Sequence, residues 1–209
     1  MPDWDEDSPQ LRENLTRVLG RIRDAARRRE LPTAQAARHW HAEMMQGLDP
    51  RDPDIRKHFR GVFRGERGLD SYKVRVGPND AIPADDVAAA LRDFERHVQR
   101  EVRRLDAKVT PDAEPDAAAL GEILNLCAWA HAEWVRIHPF ANGNGRTARM
   151  WANSLAMRYS LPPFVRLRPR PDDGYGVAGS QAMRGTWEPT AALFRRMLQR
   201  FLDDFDTTS

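Results

Sequence analysis

Apolar residues in this chain recur at the spacing of a helix and almost nowhere at the spacing of a strand, and that periodicity limits what it can fold into. Val87, Leu91, Phe94, Val98, Val102 and Leu105 lie three or four positions apart, so they share one face of a helix that follows Pro83. Leu11, Leu15, Val18, Leu19 and Ile22 form an earlier stripe, and Ala37, Trp40, Met44, Met45 and Leu48 predict a second helix after the Leu31-Pro32 break. Leu120, Ile123, Leu124, Cys127, His131, Trp134 and Val135 lead another helix directly toward His138. Past Arg149 a further helix runs to about Tyr159, where Leu161-Pro162-Pro163 stops it. Leu193, Phe194, Met197, Leu198, Phe201, Leu202 and Phe205 predict a terminal amphipathic helix.

One stretch reads as β. Val62-Phe63-Arg64 and Tyr72-Lys73-Val74-Arg75-Val76 flank a glycine-containing turn, the second with strict alternation, and together predict a β-hairpin. The Asp49-Pro50-Arg51-Asp52-Pro53 cluster predicts a loop, as does the polar stretch from Asp106 to Pro115. A chain of 209 residues is long enough for one well-buried domain and too short for two large ones. The expectation is an all-α domain carrying a small hairpin.

Composition narrows the function. No apolar run approaches the length needed to span a bilayer, and the start, Met1 to Asp7, is acidic where a secretory signal is basic, so the reading is cytoplasmic with no membrane partner. With 33 basic and 31 acidic residues the net charge is +2, which provides no global field to recruit nucleic acid. Lysine occurs only at Lys57, Lys73 and Lys108; the arginine excess is read as coding bias. The single cysteine, Cys127, sits among apolar residues and predicts a core side chain without redox function. His39 and His41, two apart on a helix, cannot share a face as metal ligands, so surface or packing roles are expected; His131, on a buried stripe, reads as a hydrogen-bonded core residue and not as a catalyst.

Chemistry concentrates in His138 to Arg149, HPFANGNGRTAR. A helix starting near Arg146 would turn its free N–H groups back toward the Gly-Asn-Gly turn, where an anion is attracted. Gly143 and Gly145 permit positive φ and close backbone approach, so N–H groups around Asn144 can converge on phosphate oxygens. Arg146 and Arg149 lie one turn apart on the same side, each able to grip a phosphate through two parallel hydrogen bonds. His138, able to take a proton near neutrality, stands at the lip as a candidate general base, and Phe140 reads as an apolar anchor.

Two other readings compete for these residues. The stretch Gly143 to Ala148 formally fits the dinucleotide-binding fingerprint, but that motif needs a preceding strand and an acid roughly 20 residues on; here a helix precedes it and Phe164 to Arg170 carries no acid. A plain helix connection, with glycines for turning and arginines for solubility, is the structural alternative.

The dodecamer resembles the signature of Fic-domain proteins, His-x-Phe-x-Asp/Glu-Gly-Asn-Gly-Arg-x-x-Arg, with every defined position matched except one. The preceding LNLCAWAHAEWVRI, the following ARMWANSLAMRYSLPP and the upstream FRGERGLDSYKVRVG also resemble the Fic core and its flap, so the likeness covers about Phe59 to Phe205. It implies a Fic-type helical bundle at 59–205, with residues 1–58 as an N-terminal helical segment packed on it, and a protein adenylyltransferase that moves AMP from ATP to a Ser, Thr or Tyr hydroxyl of a target protein. In that reading His138 deprotonates the hydroxyl, Gly143, Asn144 and Gly145 hold the α- and β-phosphates, and Arg146 and Arg149 orient the β- and γ-phosphates. Tyr72, Lys73, Val74, Arg75 and Val76 become a flap that binds the target as an added strand.

The departure is Asn142, where the family has Asp or Glu to hold Mg²⁺ (or Mn²⁺). An amide oxygen can ligate a hard cation but brings no charge, so weaker metal binding and altered activity are expected. The family's inhibitory Ser/Thr-x-x-x-Glu-Gly/Asn helix has no match: SPQLREN from Ser8 has one residue too many, and TPDAEP from Thr110 ends in proline. An inhibitory partner protein, an unrestrained enzyme and a divergent brake stay open. So do a nucleotide-binding or scaffolding module without catalysis and a Fic enzyme using another nucleotide or phosphodiester donor. Two roles are open to Tyr175 and the glycine-containing segment near it, lining the nucleotide base or packing locally as a turn residue, and the second is favoured.

Overall fold

The computed structural model of the chain describes residues 8–49, 55, 59–172 and 174–206, with side chains through 204. Met1 to Asp7, Pro50 to Pro53 of the predicted loop and the Phe205 side chain lie outside the described residues. Among the described residues there are seven helices and one antiparallel pair of strands: α1 (Pro9–Arg27), α2 (Ala34–Met44), β1 (Arg75–Val76), β2 (Asn79–Asp80), α3 (Ala84–Asp106), α4 (Ala117–Ile137), α5 (Asn144–Arg158), α6 (Tyr175–Ala182) and α7 (Glu188–Asp206). The all-α architecture with a small hairpin is as the periodicity predicts.

Helix starts follow their capping residues. Ser8 Oγ accepts the Leu11 N–H at 3.2 Å, Thr33 Oγ1 accepts that of Ala36 at 3.1 Å, and an Asp116 carboxylate oxygen accepts that of Ala119 at 2.8 Å. Each satisfies one donor the helix cannot pair internally, worth about 1 kcal/mol. The Ser8 segment is thus the cap of α1, and its Glu13 pairs with Arg17 at the surface.

The predicted stripes become the core. α4 packs against α3, α5 and α7, while α5 also meets α1 and α2. Phe94 of α3 meets Trp134 and Trp151 edge-on, with centroids 5.3 and 4.9 Å apart, and Trp40 meets Trp151 at 5.3 Å. Such pairs add about 0.5–1.5 kcal/mol each beyond their burial, so the α4–α5 hairpin stands on a stiff aromatic floor. Cys127 is fully buried in it, and burial pushes its thiol pKa up. No helix among the described residues is long and apolar enough to cross a membrane.

Two expectations need correction. Val62-Phe63-Arg64 is not a strand of the hairpin. Arg75 pairs with Asp80 and Val76 with Asn79 around a Gly77-Pro78 turn, and the Ala81 N–H reaches the Val74 carbonyl at 3.0 Å. Gly77 adopts φ +59°, the positive value that a tight two-residue hairpin loop requires at its first position, and proline tolerates the second because its missing N–H is not needed there. Tyr175 is likewise no turn residue: it opens α6, a helix whose glycines, Gly176 and Gly179, hide it from periodicity. Asn79 of β2 donates to Ser180 Oγ of α6 at 3.2 Å, tying hairpin and helix together.

Candidate functional site

α4 ends by handing His138 to the loop before α5. The His138 N–H still reaches the Trp134 carbonyl at 2.9 Å, but the residue itself is left-handed, with φ 51° and ψ 56°, a conformation uncommon for a non-glycine and concentrated at functional positions. Its Nδ1 lies 2.8 Å from the Val135 carbonyl. A carbonyl can only accept, so Nδ1 carries the proton and Nε2 keeps its lone pair. Burial, with the nearby Arg64 charge, outweighs that carbonyl's pull and lowers the His138 pKa to about 4. At neutral pH the ring is a ready acceptor.

The loop that follows is fixed by Phe140 and Asn144. Phe140 is fully buried against Phe63, Trp134 and His41. The Asn144 amide bonds both main-chain groups of Phe140, accepting its N–H at 2.9 Å and donating to its carbonyl at 2.8 Å. The asparagine side chain is therefore a staple of the loop, leaving only its backbone N–H for an anion.

α5 starts at Asn144, earlier than the Arg146 expected, because Gly143 at φ +71° is its N-cap. No side chain caps this end, so the first-turn N–H groups of Asn144, Gly145 and Arg146 are the donors a helix start offers an anion. Gly145 is helical; the positive φ that sequence assigned to both glycines belongs to Gly143 alone. A Cβ at Gly143 would lie 3.1 Å from both His41 Nε2 and Met44 Cε, so glycine is demanded by space as well as conformation.

The two arginines are held by different neighbours. Arg146 lies beside α2, with Nη2 3.9 Å from Met45 Sδ. Arg149 donates through Nη1 to the Tyr175 hydroxyl at 3.1 Å and through Nη2 to the Leu167 carbonyl at 2.9 Å. Asn142 Oδ1 is buried with no hydrogen-bond partner among the described residues. Among those residues no group of three or more His, Cys, Asp or Glu could hold a metal, so a protein contribution to a cation at this loop would come from that orphaned amide oxygen.

Sequence reasoning missed two residues that build the site. His41 lies flat on Phe140, its Nδ1 accepts the Gly61 N–H at 3.0 Å, and its Nε2 donates to the Asn142 carbonyl at 3.2 Å. Burial lowers its pKa to about 3, so it is a neutral bridge from α2 to the loop. Arg64, also buried, donates to the carbonyls of Ile137, His138, Tyr72 and Ile82. That one guanidinium joins the end of α4 to the base of the hairpin, and the Arg64 backbone N–H reaches the Pro139 carbonyl at 2.7 Å. No local pattern announces either contact. Of the predicted flap, Lys73, Arg75 and Val76 are exposed while Tyr72 and Val74 are half-buried. A cleft of about 470 Å³ between α1 and residues 163–169 contains no residue of the 138–149 loop and helix, so the chemistry is not read from it.

Comparison with known proteins meets this geometry. A family model described as "Fic/DOC family" matches residues 31–156. Over 130 residues, 62% of this chain, it is 29% identical to a protein named "Protein adenylyltransferase Fic" from Drosophila persimilis, and over 83 residues, 39% of the chain, it is 36% identical to one of the same name from Nematostella vectensis. The matches span 24% and 19% of those proteins, about a quarter or less of their length. A crystal structure of a Fic-domain-containing signaling protein from Bacteroides thetaiotaomicron superposes with a TM-score of 0.57 at 17% identity, covering 91% of this chain and 69% of that one, a likeness of fold.

Proposed function

The chain belongs to the Fic/DOC family, and we propose that it is a nucleotidyltransferase that moves AMP from ATP to a hydroxyl of a protein target. The observation that carries this reading is the tautomer of His138: its proton is committed to Val135, and Nε2 is left as a base beside an uncapped helix start. Nε2 takes the proton of a Ser, Thr or Tyr hydroxyl as its oxygen attacks the α-phosphorus. The bond from that phosphorus to the bridging oxygen breaks, and pyrophosphate leaves with the electron pair. The N–H groups at Asn144, Gly145 and Arg146 receive phosphate oxygens, and Arg146 and Arg149 orient the outer phosphates.

Mg²⁺ or Mn²⁺ fits the site through Asn142 Oδ1, a hard neutral donor that is buried and has no hydrogen-bond partner among the described residues. When bound, the ion neutralises phosphate charge. The exposed edge of the β1–β2 hairpin supports a role as the flap on which the target adds a strand. Residues 59–205 form the catalytic unit in this reading, with α1 and α2 of the preceding segment braced against α5.

Incubation of the purified protein with lysate, Mg²⁺ or Mn²⁺ and ATP labelled at the α-phosphate tests the proposal. Labelled protein is expected with the wild type and about a hundredfold less with His138→Ala, the typical contribution of a positioned base. Equal ATP binding with no label from either would leave a nucleotide-binding module instead.

A further inference from the structure

Arg149 is 5% exposed, yet among the described residues no carboxylate forms an ion pair with it. Its Nη atoms donate to two neutral oxygens, and its Nε is buried with no hydrogen-bond partner. A guanidinium cannot shed its proton, so this is a buried positive charge that its surroundings hold without neutralising. A carboxylate partner would have to be displaced by an incoming phosphate; a hydroxyl and a carbonyl need not be.

The hydroxyl in question is itself aimed. The Tyr175 oxygen accepts from Arg149 Nη1, and 2.7 Å away lies His131 Nε2. With the oxygen's lone pair turned to the arginine, the hydroxyl hydrogen has the histidine as its acceptor. His131 suits that role because burial, assisted by the Arg149 charge, lowers its pKa to about 3 and keeps the ring neutral. The tyrosine ring is also fixed: His131 meets it edge-on at 5.5 Å between centroids, and the Arg149 and Arg170 guanidinium carbons lie 5.6 and 5.5 Å from its centre. His131, Tyr175 and Arg149 thus form a chain in which each group orients the next.

We propose that Tyr175, oriented by His131, is a positioning residue that holds the Arg149 guanidinium in register for the outer phosphates of the nucleotide. The proposal rests on the nucleotide-transfer reading above and adds to it residues outside the motif, on α4 and α6. Tyr175 and His131 touch no reacting atom; they act through Arg149. Pre-setting the fork means less side-chain freedom is lost when phosphate binds, which is how such a residue raises affinity.

The test is calorimetric titration of wild type, Tyr175→Phe, Arg149→Ala and the double variant with ATP, inorganic tripolyphosphate and AMP, alongside thermal unfolding of each. Removing the hydroxyl is expected to weaken ATP and tripolyphosphate about tenfold, to leave AMP binding unchanged and to add no further loss of binding in the Arg149→Ala background; the unfolding midpoint should fall, because buried Arg149 Nη1 and His131 Nε2 lose their shared partner, while the protein stays folded at the titration temperature. Unchanged ATP binding in Tyr175→Phe overturns the proposal while the transfer reading stands. Tighter ATP binding overturns it by making Tyr175 a competitor of the phosphates, and an equal loss for AMP reduces it to a structural residue. Tripolyphosphate binding that depends on Tyr175, with ATP bound no better and no label transferred, keeps the positioning role and removes the transfer reading. Binding of none of the three ligands by the wild type overturns both.

Discussion

The imidazole of His41 lies parallel to the ring of Phe140, with centroids 3.8 Å apart and planes 12° from each other, although the residues are almost a hundred positions apart in the chain. With its two ring nitrogens bonded to Gly61 and Asn142, this histidine clamps the loop that carries His138.

His41→Phe keeps the stacking and deletes both hydrogen bonds, leaving the Gly61 N–H and Asn142 carbonyl without partners. A loss of about 1–3 kcal/mol is expected in urea unfolding, since buried groups left unpaired are penalised at that scale. Transfer activity is expected to fall further than the lost folded fraction accounts for. Activity in proportion to folded protein would remove His41 from the site's support.

Stability is expected to decline on the acid side of neutrality. His41 and His131 are held neutral near 3, against 6.5 for an unperturbed imidazole, so below pH 6.5 the unfolded chain binds protons that the fold refuses. Their contribution is complete above pH 6.5 and is lost as the pH falls toward 3, with a slope of up to about 1.4 kcal/mol per unit for each ring. Urea midpoints measured from pH 8 to 4.5 should be flat at first and then drop. His131→Phe should shallow the drop, and an identical slope in that variant counts against the neutral ring.

The base itself predicts a different profile. With the His138 pKa lowered to about 4, kcat/KM should be independent of this group from pH 6 to 8 and fall only below about pH 5, as the ring takes up a proton. An inflection near 6.5 in the wild type would mean a solvated histidine and an open loop, contrary to the bonds described.

Asn142→Asp places a carboxylate where the buried amide oxygen has no hydrogen-bond partner among the described residues. The Mg²⁺ concentration for half-maximal labelling should fall about tenfold or more, because a charged oxygen replaces a neutral one in a site completed by phosphates. Unchanged metal dependence would show that residue 142 does not face the ion.

The helices were legible because a buried stripe is a local pattern: Val87 to Leu105 and Leu11 to Ile22 each show it within a few turns, and α3 and α1 appear where expected. The order of His138, the glycines and the arginines was also readable, since a loop and a helix start are contiguous in sequence. What escaped depends on contacts between distant segments. Arg64 looks like an exposed strand residue until its carbonyl partners arrive from Ile137, His138, Tyr72 and Ile82, and His41 looks like any helix histidine until Phe140 lies on it. The hairpin register did leave a mark, Gly77-Pro78, but the glycines upstream of Tyr72 offered an earlier turn and, with it, Val62 to Arg64 as the wrong partner arm.

The seclusion of Cys127 gives the experimentalist a clean canvas. Because the chain's one native thiol is walled inside the helix bundle and disfavoured as a thiolate, a cysteine introduced at open Val177 on α6, 65% exposed, should take a maleimide dye alone, without a cysteine-free background. A fluorophore there would sit two residues from Tyr175, on the same short helix that the hairpin grips, and could report nucleotide arrival in real time.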